Sequence, residues 1–129
     1  MRLLVLWLWF TSLLVPMACL DQPTLAETSY RPYGAQGAYL AGTVMVWGSS
    51  PVFDRVAVHE FGHHWVDACH LDRRPIGRRF LRATGQTMWT IRVEEQFVET
   101  LVWRLTGSGS PYVRREAGWV FDPKLAGTG

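Results

Sequence analysis

Hydrophobic positions along this chain fall in two patterns. The first is an unbroken apolar run, Leu3 to Val15, holding Trp7, Trp9 and Phe10 and led by Met1-Arg2. The later apolar positions are spaced. Val52, Val56, His63 and Val66 recur at helical intervals along one side of a stretch from about Pro51 to His70. Its flanks agree with a helix. Ser50 is a good N-cap, Pro51 suits the first helical position, and Asp54 favours the positive end of the helix dipole. Pro75, beyond Arg73 and Arg74, is a hard stop. Ile76 to Ala83 reads as a short helix closed by Gly85. Thr90 caps a long helix from Ile91 to Leu105 that Gly107 ends. Ser110-Pro111 opens a last short helix stopped near Gly118, and Trp119, Val120 and Phe121 are apolar enough to pack back on the body.

Strand signals are fewer. Thr43-Val44-Met45-Val46-Trp47 is β-branched and apolar, and is bounded by Gly42 and Gly48. Ala38 to Leu40 is a weaker second strand. The pattern predicts an α+β domain: a short sheet, the helix carrying His59 and His63, and a second long helix rich in glutamate. The expected division is a signal over 1–18, a tether over 19–36, a domain over 37–123 and a loose tail over 124–129.

The opening run has the order of a secretory signal: a positive start, an apolar core, then Pro16-Met17-Ala18-Cys19 before polar Asp21 and Gln22. It is about half the length that crosses a bilayer. The expectation is therefore an exported protein that loses residues 1–18 and works outside the cytoplasm, secreted or held at a membrane surface. Ala18-Cys19 resembles the cleavage site of bacterial lipoproteins, with Pro16 where that pattern wants Leu. On that reading Cys19 carries lipid. Otherwise Cys19 can pair with Cys69 in an oxidising compartment, or be removed and leave Cys69 as a small buried residue.

Charge narrows the partners only a little. The formal net charge is +2 over 129 residues, which gives no support to a nucleic-acid role. Arg73, Arg74, Arg78, Arg79 and Arg82 make one local exception, read as a solvated face or as a docking surface for anionic headgroups.

The chemistry sits at His59-Glu60-Phe61-Gly62-His63. All four histidines lie between residues 59 and 70. On a helix, residues four apart project from one face, so His59 and His63 can meet one metal ion. Glu60, next to the first of them, is placed to act as general base on the attacking water. A single histidine on an apolar face is more often a hydrogen-bonded core residue. The pair at ligand spacing with a carboxylate in the base position argues for the metal.

A catalytic zinc takes three protein ligands. A third histidine six residues after the second would suit one known arrangement, but Cys69 stands there. Cys69 and His70 lie further along the same helix and cannot turn back to the ion. A carboxylate of the second long helix remains, among Glu94, Glu95 and Glu99; the alternative is that these form a solvated acidic face.

HEFGH followed by Glu95-Gln96-Phe97-Val98-Glu99 resembles the zincin metallopeptidases of the glutamate-ligand (gluzincin) branch, especially small catalytic domains like that of anthrax lethal factor. The resemblance covers residues 43 to 105 at most, and Val98 stands where the family's motif has Ala. It implies a zincin-like fold and Zn²⁺ as cofactor, with His59, His63 and Glu95 as ligands and Glu60 as base. Glu99 would orient a ligating histidine, and Glu94 is the rival ligand one residue away. The implied activity is endopeptidase hydrolysis of a peptide or protein substrate, laid against the strand that ends at Trp47. Tyr39, His64 and Tyr112 are unranked candidates for assisting the oxyanion. The alternative is a non-catalytic zinc-binding or protein-interaction domain on the same scaffold, suggested by the small size of the chain.

Overall fold

A computed structural model of the chain describes residues 1–14 and 18–125. It is an α+β protein, as the sequence pattern predicts, and its residues gather into two compact units, Met1–Cys69 and a second from His70 onward. The division falls inside the stretch 37–123 that reads as one domain. Val15 to Met17 of the signal-like segment, and residues 126–129 of the expected tail, lie outside the described residues.

The first unit is built on a three-stranded sheet, β1 (Thr24–Thr28), β2 (Gly37–Leu40) and β3 (Thr43–Trp47), in the order β1-β3-β2. β2 and β3 form an antiparallel hairpin, with Gly37 opposite Val46 and Leu40 opposite Thr43. Its two-residue turn, Ala41-Gly42, has positive φ at both positions (47° and 84°), which matches the right-handed strand twist. Alanine is a poor residue for that conformation. Ala41→Asn should therefore raise stability by roughly 0.5–1 kcal/mol, read as a higher urea midpoint with unchanged slope. An unchanged or lower midpoint would contradict the turn.

β1 was not expected, since residues 19–36 read as a tether. Its segment, Thr-Leu-Ala-Glu-Thr, carries little apolar alternation, and it becomes a strand by lying parallel to β3, with Thr24 opposite Thr43 and Thr28 opposite Trp47. This changes the role of β3. It is the central strand, paired on both sides, with Val44 and Val46 fully buried. It offers no edge to a substrate, contrary to the expectation for the strand ending at Trp47.

The apolar run at the start forms α1 (Arg2–Leu13), which packs on α2 (Phe53–Cys69). Leu3, Trp7 and Phe10 share one face and are buried. Trp7 meets Phe61 edge-on at 5.2 Å between ring centroids, and Phe10 lies 5.4 Å from the same ring. Burying each such side chain is worth about 1.5–3 kcal/mol. The Arg2 guanidinium sits 3.5 Å over the Phe53 ring and donates to the Gly48 carbonyl, while the Leu3 amide donates to Glu27. The segment read as a removable signal thus begins with a packed helix. A Cys19–Cys69 disulfide ties the chain after it to the end of α2.

The second unit holds α3 (Pro75–Ala83) and α4 (Ile91–Thr106). Thr90 caps α4 as expected, its hydroxyl accepting from the Val93 amide at 3.1 Å, and Gly107 ends it in the left-handed region. Phe97 anchors an aromatic group with Phe80, Trp89 and Phe121, at 5.3, 5.4 and 5.0 Å between centroids. The last helix differs from expectation. It is a 3-10 segment, Arg115–Phe121, that runs through Gly118 instead of stopping there. α3 buries Ile76 and Phe80 and leaves Arg78 and Arg82 exposed.

Candidate metal centre

α2 begins where the local chemistry allows. The Ser50 hydroxyl accepts from the Val52 amide at 3.3 Å and also meets the Gln36 side chain, and Asp54 stands in the first turn. The helix then runs without proline to Cys69, and His70 leaves it in the left-handed region at φ 50°. Phe53, Ala57, Phe61 and Trp65 go to the core, while His59 and His63 are half-buried.

This places the two imidazoles together. Their Nε2 atoms are 3.2 Å apart and their ring centroids 4.8 Å apart. Two nitrogens bound at about 2.0–2.1 Å to one tetrahedral ion would stand about 3.3–3.4 Å from each other. The pair therefore has the bite that a metal needs. The same spacing also lets one ring N–H donate to the other nitrogen. Glu60 completes the group: a ligand atom from each of His59, Glu60 and His63 lies within 4.8 Å of the others. Such a set can hold a metal ion, and imidazole suits several first-row metals, so the residues do not themselves select zinc.

The Glu60 carboxylate is buried, at 7% exposure, and its surroundings include a residue that sequence reasoning passed over. A Cβ on Gly37 would come 2.4 Å from the Val56 side chain and 3.0 Å from Glu60 Oε2. Glycine lets β2 approach the carboxylate at that point. Only the close approach marks it out, and that depends on the hairpin docking on α2. Among the described residues β2 is paired on one side only, so it has an open edge.

Two of the three oxyanion candidates have other work. The Tyr39 hydroxyl donates to Asp67 at 2.6 Å, lies 3.0 Å from His64 Nδ1 and accepts from the Gly42 amide at 3.2 Å. His64 Nε2 is 2.7 Å from the Asp21 carbonyl, which can only accept, so that nitrogen carries the proton. Tyr39 and His64 thus tie the hairpin and the residues before β1 to α2.

Glu95 and Glu99 lie on α4, in the second unit. Glu99 is 7% exposed and Glu95 half-buried, which rules out a fully solvated acidic face. Glu95 lines a cleft of about 780 Å³ with Ile91, Arg92, Gln96, Pro111 and Tyr112, so Tyr112 and Glu95 share one cavity. Glu94 faces the Trp89 indole, whose N–H reaches its carboxylate at 3.3 Å.

Comparison with protein-family models, with curated proteins and with solved structures finds no match for this chain.

Proposed function

We propose that this chain is an exported zinc-dependent endopeptidase. The observation that carries the reading is the 3.2 Å approach of His59 and His63 Nε2 with the buried Glu60 carboxylate beside them. His59 and His63, with Glu95 as the proposed third ligand, would hold the zinc, which when bound would supply Lewis acidity to the scissile carbonyl and the attacking water. The chain's own residues do the rest. Glu60 takes the proton from the water and passes it to the leaving amine. Glu99 orients a ligating histidine. The substrate peptide lies along the open edge of β2, the strand that approaches Glu60 at Gly37. The Cys19–Cys69 disulfide supports an extracytoplasmic location, because such bonds persist in oxidising compartments.

The test is zinc content and peptide hydrolysis of the purified full chain. About one zinc per chain with cleavage of a broad peptide library is expected. Zinc without cleavage would overturn the enzyme and leave a metal-binding domain. The ligand on α4 is tested separately. Glu95→Ala should lower zinc affinity strongly, whereas Glu94→Ala, which loses a contact with the Trp89 indole, should do little. The reverse result would move the ligand by one residue, and no effect from either would take α4 out of the site.

A further inference from the structure

The mechanism makes no use of α1, and α1 has two apolar faces. Leu3, Trp7 and Phe10 fill the core. Met1, Val5, Leu8, Trp9 and Leu13 are exposed at 62%, 63%, 58%, 38% and 43%. At about 100° per residue these positions form one continuous stripe opposite the buried one. The two hydroxyls on the helix are satisfied by its own backbone. The Ser12 hydroxyl, in the middle of the stripe, donates to the Trp9 carbonyl at 2.6 Å, and Thr11 donates to the Leu8 carbonyl at 3.1 Å. Arg2, the helix's one charge, folds its guanidinium over Phe53 and onto the Gly48 carbonyl. No charged residue occurs from Leu3 to Leu20.

We infer that α1 stays on the mature protein and seats its outer stripe in the surface of a lipid bilayer. A helix of 12 residues is about 18 Å long, too short to cross about 30 Å of hydrocarbon but long enough to lie in the interface. Hydroxyls bonded to their own helix carbonyls, and a stretch from Leu3 to Leu20 without a charge, suit an apolar solvent. A second copy of the chain fits less well. The stripe is one face of a single 12-residue helix, a small area beside the ~1,200 Å² or more that a stable interface buries. The attachment also differs from lipid on Cys19, whose sulfur is bonded to Cys69.

The experiment uses the full disulfide-bonded chain recovered from the exporting host. Intact mass should show that residues 1–13 are retained. The protein should float with phosphatidylcholine vesicles. Leu8→Gln with Leu13→Gln should cut vesicle partitioning by roughly tenfold or more, since two apolar side chains no longer leave water. Circular dichroism should be unchanged, because neither residue is buried. Met88→Gln, at an exposed apolar position of the second unit, should have no effect. Adding vesicles should blue-shift the tryptophan emission, and Trp9→Phe should reduce that shift. A mature chain that starts beyond Leu13 would overturn the inference. So would flotation indifferent to the stripe, or a dimer that the double variant dissolves in the absence of lipid.

Discussion

Glu60→Gln should leave the protein folded, with about one zinc per chain, and slow peptide hydrolysis by about 10²–10⁴-fold. The substitution keeps the volume of a side chain that is 7% exposed and packed near Gly37 and Val56, so no cavity opens. What it deletes is the ability to accept a proton. His59→Ala is the contrasting variant. It takes one of the two nitrogens now 3.2 Å apart, and should lose the metal together with some stability. Elemental analysis and hydrolysis rates on the same preparations separate the two. If Glu60→Gln loses zinc as His59→Ala does, Glu60 is a ligand and the division of roles is wrong.

Cys69→Ser should be the most damaging single change to stability away from the metal. The Cys19–Cys69 bond spans 50 positions of sequence. Closing a loop of that size removes unfolded-state entropy worth about 4 kcal/mol in the chain-entropy account, within the usual range of about 2–4. That is a large part of the 5–15 kcal/mol that keeps a typical domain folded. The native contacts of the segment also depend on the bond, because it fixes the chain leaving α1 to the end of α2. Urea unfolding of the oxidised chain, the reduced chain and Cys69→Ser should give one high and two low midpoints. Coincident midpoints would mean that the segment before β1 is held to the end of α2 without the bond.

The sequence made some of this legible, for local reasons. Thr90 and Gly107 bracket α4, because caps and stops act within a turn of the residue that makes them. The approach of His59 to His63 is legible for the same reason: spacing four on a helix needs no tertiary knowledge. What failed was long-range. Thr24 to Thr28 is a strand only because β3 lies beside it, and nothing in those five residues says so. Strand order therefore could not be read, and the central strand was mistaken for an edge. α1 was hidden differently. A run apolar on every side has no period, so its buried and exposed stripes read alike until α2 sorts them. Tyr39 and His64 were recognised as polar groups close to the site, but their mutual contact needs the hairpin docked on the helix. Gly37 gave no sign beyond being a glycine in a strand.

The parallel pairing of β1 with β3 also sets an order of events as the chain folds. The hairpin Gly37–Trp47 closes through a two-residue turn and can form within microseconds. β1 cannot join until β3 exists, and α1 has no surface to rest on until α2 has formed. The N-terminal third of the first unit is thus made first and folded last. Contacts of long sequence separation pay their loop-closure entropy before they are rewarded. Pulsed hydrogen exchange should protect β3 and α2 early, with β1 and α1 following together. Until then the exposed stripe, the core face of α1 and a Cys19 still to be joined to Cys69 all travel as one adhesive, uncommitted segment, and the interval between synthesis and docking is when it can be captured.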